Sequence, residues 1–141
     1  MVNRRALELA RITRDTPDPP GGAILRDADG EPTGVLVDNA VDLLAAVVPP
    51  PSAARRQERL LAAMRECARH GLTMVGDAGI GRETWDAYRA LLARGEFPIR
   101  VYAMAEVPGE LAEELLATGG RDGDRLMLRA VKVVADGALG S

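Results

Sequence analysis

Residues 52–141 predict an α/β fold built on a parallel sheet. Two observations carry this. Helical and strand-like patterns alternate three times in this stretch, each strand separated from the next by a whole helix, and such spacing calls for crossover connections. The last strand candidate contains the unbroken apolar run Ala130-Val131-Lys132-Val133-Val134-Ala135, the pattern of a strand covered on both faces. A closed barrel and a doubly wound sheet both fit, and in either one ligands gather at the carboxyl ends of the strands.

The elements follow in order. Asn3 to Ile12 is a short helical pattern, and Asp15-Thr16-Pro17-Asp18-Pro19-Pro20-Gly21-Gly22 is an extended loop. Ala23–Arg26 and Gly34–Val37 flank an Asp-Gly turn and predict a β-hairpin. Asp38 is placed to cap a helix from Asn39 to about Val47, closed by Pro49-Pro50-Pro51. Residues 1–51 therefore form a decoration ahead of the alternating part, residues 52–141. There Ser52 caps a long amphipathic helix to Arg69, with Leu60, Leu61, Met64 and Cys67 on its apolar stripe. Strands are expected over Leu72–Val75, Pro98–Met104 and Leu126–Ala135, and helices over Glu83–Arg94 and Pro108–Thr118.

Composition excludes several functions. The net charge of −3 gives no footprint for nucleic acid. No apolar stretch approaches the ~18 residues of a membrane span. The N-terminus lacks a signal-peptide core, and Cys67 stands alone, so a cytoplasmic protein is expected.

Lys132 is the one lysine; the other seventeen basic residues are arginine. An amine shielded by burial loses its proton and becomes a nucleophile, which a guanidinium does not. It can form a Schiff base, or add carbon dioxide to give a carbamate that ligates metal. The plainer alternative is an ammonium paired with Asp77 or Asp136. Asp77, within Gly76-Asp77-Ala78-Gly79, is a metal or proton acceptor candidate, but capping a glycine-rich turn is favoured; Asp136 before Gly137 reads the same way. The glycine-rich segment lacks the spacing of a phosphate loop. His70 is the sole histidine and sits where a helix dipole favours it. Trp85 reads as a packing residue.

Ile12-Thr13-Arg14-Asp15-Thr16-Pro17-Asp18-Pro19-Pro20-Gly21-Gly22, followed by Asp27-Ala28-Asp29-Gly30-Glu31-Pro32-Thr33-Gly34, resembles amidohydrolase family 3, metal-dependent hydrolases of the N-substituted formamide deformylase type. Gly71-Leu72-Thr73 with Asp77-Ala78-Gly79 resembles the second barrel strand of that family. Val131-Lys132 with Ala135-Asp136-Gly137-Ala138-Leu139-Gly140-Ser141 resembles the fourth strand and its loop. The resemblance implies a partial (β/α)8 TIM-type barrel, about strands two to four, preceded by the hairpin and helix decoration. It implies a carbamate on Lys132 that ligates a divalent metal, zinc by preference, and hydrolysis of C–N bonds in small amide-type substrates by metal-activated water.

Family members carry a histidine where this chain has Gly76. They also bring a His-x-His pair from strand one, histidines from strands five and six and an aspartate from strand eight. With Lys132 as one metal ligand, an internal segment of such an enzyme is expected, inactive alone and inclined to self-associate through uncovered strand edges. Val101, Val131, Val133 and Val134 belong to the strands that would bear this exposure. The alternative function is a small non-catalytic α/β module that binds an anionic ligand at its glycine-rich strand ends.

Overall fold

The computed structural model describes residues 1–121 and 123–135. The chain divides into two compact units, Met1–Pro50 and Pro51–Ser141. Among the described residues no helix is long and apolar enough to cross a membrane.

In the first unit, Asn3 caps helix α1 (Arg4–Leu9) by accepting the Ala6 N–H at 3.0 Å. The helix is shorter than its sequence pattern, because Arg11 turns the chain at φ 54 and the Ile12 N–H donates back to the Leu7 carbonyl at 2.9 Å. Ile12 thereby joins Leu7, Ile24, Leu36 and Ala40 in one buried cluster. Strands β1 (Gly22–Arg26) and β2 (Pro32–Asp38) pair antiparallel. Asp27 shapes their turn, its Oδ1 accepting the N–H groups of Asp29 and Glu31 at 3.0 and 2.9 Å.

The proline-rich loop is tied to β1 through Asp18. Its Oδ1 accepts from the Ile24 N–H and from Arg26 Nη1, each at 3.0 Å. These two bonds, the backbone one foremost, hold the Asp18 carboxyl below its usual pKa. The expected helix from Asn39 to Val47 is reduced to a 3-10 turn, Asn39–Val41, and a single turn α2 (Asp42–Ala45). Asp38 does not cap it; paired with Gly22 as the last residue of β2, it is held at φ 47 and its side chain makes no cap bond.

The second unit begins with α3 (Ala53–Arg69), capped by Ser52, whose Oγ accepts the Arg55 N–H at 3.2 Å. Then β3 (Met74–Ile80), α4 (Arg82–Ala93), β4 (Arg100–Glu106), α5 (Glu110–Thr118) and β5 (Leu126–Lys132) alternate. The three strands form a parallel sheet in the sequential order β3-β4-β5. Each strand is offset from its expected span for a local reason. Pro98 has no N–H to give, and the first ladder bond comes from Arg100 N–H to the Thr73 carbonyl at 3.0 Å. Gly76-Asp77-Ala78, expected as loop, is drawn into β3 by pairing with Tyr102, Ala103 and Met104 of β4.

One face of this sheet is covered. Val101, Ala103 and Ala105 of β4 and Leu126 and Leu128 of β5 pack in one cluster with Met64 of α3, Trp85, Tyr88 and Leu91 of α4, and Leu111, Ala112 and Leu115 of α5. The intervening residues Tyr102, Met104 and Met127 are half-buried, and Met74 is 41% exposed. The chain is thus a mixed α/β structure with helices on one side of its parallel sheet. Two expectations are corrected. Val101 is fully buried, because its face is the one the helices cover. The run from Ala130 to Ala135 is not buried on both faces; β5 ends at Lys132, and Val133 and Val134 are 60% and 67% exposed.

Gly34 gives a test of the first unit. It lies at φ 89, accepts the Val2 N–H at 2.7 Å, and a Cβ there would stand 2.3 Å from the Val2 carbonyl oxygen. Gly34→Ala is expected to cost about 3 kcal/mol, combining a left-handed backbone with overpacking. Amide exchange at Ile24 and Leu36 would report it as faster opening; unchanged protection would contradict the close approach.

Candidate functional site

The carboxyl ends of the three parallel strands carry the chemistry. Two irregularities decide which side chains reach the uncovered face. In β5, Leu128 pairs with Ala103 but Ala130 pairs with Met104, so Arg129 is an extra residue. Strict alternation from Leu128 would turn Lys132 toward the helices. The bulge reverses this, aligning Lys132 with Glu106 and Val131 with Ala105. The Val107 N–H donates to the Lys132 carbonyl at 3.1 Å and fixes the pairing at the strand end.

In β3, Ala78 pairs with Met104 and Ile80 with Ala105, leaving Gly79 as the extra residue at φ 90. A Cβ at Gly79 would lie 3.6 Å from Cγ of Lys132. The lysine stem therefore runs beside the glycine, with small Ala130 preceding it on the same face. The amine is not buried: Lys132 is exposed, because it lies on the sheet face that the helices do not cover.

Asp77 lies on the opposite face. Its Oδ2 accepts the Tyr88 hydroxyl at 2.8 Å from α4, so it neither caps a turn nor meets Lys132. Tyr88 is 4% exposed and stacks edge-on against Phe97, ring centroids 5.8 Å apart. Burial, and then the hydrogen bond and charge of Asp77, push the Tyr88 phenol well above its ordinary pKa. The sequence marked Asp77 but not its partner; the available signal was a tyrosine on the apolar stripe of α4, whose hydroxyl needs an acceptor when buried. Asp136, and the loop that follows it, lie outside the described residues. Among the described residues no ion pair reaches the Lys132 ammonium.

A cleft of about 240 Å³ adjoins the ends of β3 and β4, lined by Gly81, Arg82, Glu83, Glu106, Pro108 and Glu110 among others. Arg82 is committed elsewhere, to Glu114 of α5, which also accepts from Arg121. These two partners hold the Glu114 carboxyl below its usual range, Arg82 contributing most. The cleft is left acidic, which disfavours an anionic ligand. Among the described residues no group of three or more His, Cys, Asp and Glu is placed to hold a metal. His70 terminates α3 and lies 2.9 Å from Glu66 Oε1, Cys67 is half-buried against the core, and Trp85 is buried within it.

The model of an amidohydrolase family matches residues 1–141, the whole chain. The chain is 39% identical to the YtcJ protein of Bacillus subtilis (strain 168), over 99% of this chain and 27% of that protein. It is 38% identical to the N-substituted formamide deformylase of Arthrobacter pascens, over 69% of this chain and 19% of that protein. A solved metal-dependent hydrolase of uncharacterised function from Pyrococcus horikoshii superposes with a TM-score of 0.68 at 22% identity, covering 98% of this chain and 27% of that one. The chain thus spans roughly a quarter of the length of the relatives it matches.

The Tyr88–Asp77 bond makes stability depend on alkaline pH. The folded phenol keeps a proton that the unfolded one releases near pH ~10. This contribution is complete below that pH and is lost as pH rises toward the folded value, by up to ~1.4 kcal/mol per pH unit. Urea midpoints between about pH 8 and 11.5 should fall more steeply for the native chain than for Tyr88→Phe. The variant should also lose about 1–2 kcal/mol at neutral pH, because Asp77 loses its donor. Parallel pH curves would contradict the assignment.

Proposed function

The chain belongs to the amidohydrolase family, and from that membership we propose that residues 52–141 are strands two to four of a (β/α)8 barrel, residues 1–51 being a decoration ahead of it. The complete protein, on this reading, hydrolyses C–N bonds of small amide-type substrates with a divalent metal, zinc by preference. One observation carries the reading: a parallel sheet in sequential order, covered by helices on one face only, turns its single lysine to the other face at the carboxyl ends of the strands. Parallel sheets in self-contained proteins are covered on both faces, whereas a barrel strand covers its inner face with the opposite wall.

The names of two relatives give the chemistry its direction. One is a metal-dependent hydrolase and another acts on N-substituted formamides. The lysine stem at the strand end passes beside Gly79, which sets no side chain against its Cγ, and on this reading its amine takes up carbon dioxide. The resulting carbamate is an anionic oxygen donor, which arginine cannot provide. The metal, when bound, lowers the pKa of water and polarises the scissile carbonyl. Lys132 would be the residue that holds the ion, with Gly79 and Ala130 placing no bulky side chain beside its stem. The described residues amount to part of a ligand shell, since catalytic sites draw on three protein ligands. The 141-residue chain is accordingly inactive by itself. The acidic cleft weighs against the competing view of an anion-binding module.

In a complete enzyme of this sequence, Lys132→Arg should abolish stoichiometric metal binding although the charge is kept. Lys132→Ala should be partly rescued by a short carboxylic acid filling the vacated space. Elemental analysis provides the readout, and full occupancy in the arginine variant would eliminate the carbamate.

The chain alone should self-associate, because the edge of β3, the edge of β5 beyond its single bridge from Leu128 to Arg121, and the face bearing Met74, Tyr102, Met104 and Met127 are uncovered. Light scattering with denaturant unfolding at several concentrations tests this. A concentration-independent monomer with one cooperative transition would favour the self-contained module.

A further inference from the structure

We infer that the open edge of β3 is the surface on which a second copy of this chain docks, its own β3 adding antiparallel about a two-fold axis at Gly76. The inference rests on the reading of the sheet as an open-sided wall and says where that wall takes a partner. The two edges of the sheet are not alike. At β5, Leu128 exchanges two backbone hydrogen bonds with Arg121, each 2.9 Å long. The Arg121 guanidinium is in turn tied to Glu114 of α5, which Arg82 at the start of α4 also holds. The same strand carries the Arg129 bulge, and a bridged, bulged strand with charged side chains is a poor receiver for another chain.

Between Met74 and Ala78 the edge of β3 has none of these devices. The Arg100 N–H donates to the Thr73 carbonyl at 3.0 Å. Alternation along the parallel ladder therefore turns the N–H and C=O groups of Met74, Gly76 and Ala78 away from β4. These three residues are exposed, no described strand pairs with them on that side, and none carries a charge. The edge is also self-complementary. A two-fold axis at the Gly76 pair sets Met74 of one copy beside Ala78 of the other, large against small, and does so twice. On the helix-covered side Val75 then faces Asp77, whose carboxylate is already bound by the Tyr88 hydroxyl. Such a contact uses the same patch on both copies, so it closes at a dimer while Arg121 caps β5.

Analytical ultracentrifugation of the 141-residue chain over a concentration series is the test, with far-ultraviolet dichroism confirming that each variant is folded. Gly76→Pro removes an N–H that points off the sheet and costs no bond to β4, and a Cβ there meets only Met104 Cε, at 3.9 Å. Ala78→Lys places a charge on the same edge. The native chain should dimerise, and both variants should dimerise more weakly by on the order of tenfold or more. In a Cys67→Ser background, Gly76→Cys should form an interchain disulfide on mild oxidation, because bonded antiparallel partners lie ~5.5 Å apart between Cα atoms. Native-strength dimerisation of either variant, or no crosslink at position 76, would overturn the inference and leave the open-sided wall standing. A native chain that stays monomeric at every concentration would overturn both.

Discussion

The structure depends on burying one face of a three-stranded parallel sheet. Val101, Ala103 and Ala105 of β4 have no exposed surface, and the two alanines let helices α4 and α5 approach the sheet closely. Leu91, Leu111 and Leu128 complete the fully buried contacts on that side. Everything placed by this layer is structural, including the Tyr88–Asp77 bond. What the layer leaves uncovered is the face that carries Lys132 and Glu106. Packing and chemistry are therefore separated by the period of two along each strand.

That separation is adjusted by single inserted residues. Without Arg129 as the extra residue, Lys132 would share the face of Leu126 and Leu128. An ammonium there would enter an apolar layer with the desolvation cost that buried charges carry. The bulge at Gly79 lies in β3, on the far side of β4, and brings a residue without a side chain beside the lysine stem. Bulges of this kind near sheet margins re-aim side chains, and here two of them converge on one position.

The order of the elements was legible because helix and strand periodicities differ and their ends are marked: Ser52 does cap α3, and the Asp27 turn does close the hairpin. Strand limits were less legible, since glycine is a poor strand former and Gly76 to Gly79 joins β3 only through pairing with β4. The helix expected after Asp38 failed because strand pairing claimed that residue first. Lys132 stood out in the sequence by rarity, but the reason first attached to it, burial, does not hold in this chain. Its alignment with Glu106 could not be read from the sequence, because it required the register and its bulge. Asp77 was misread for a related reason: the face a strand residue occupies is set by its partners, not by its neighbours in sequence.

The central claim is that the sheet is covered on one side only, as a wall of a barrel would be, and the methionines test it within one molecule. Met64 is 3% exposed in the helix layer, while Met74, Met104 and Met127 lie on the other face. Peroxide oxidation of the dilute chain, followed residue by residue by mass spectrometry, compares the two sides directly. The account predicts that Met74, Met104 and Met127 oxidise well ahead of Met64. Protection of Met104 and Met127 equal to that of Met64 in a dilute monomer would show a sheet covered on both faces, and would contradict it.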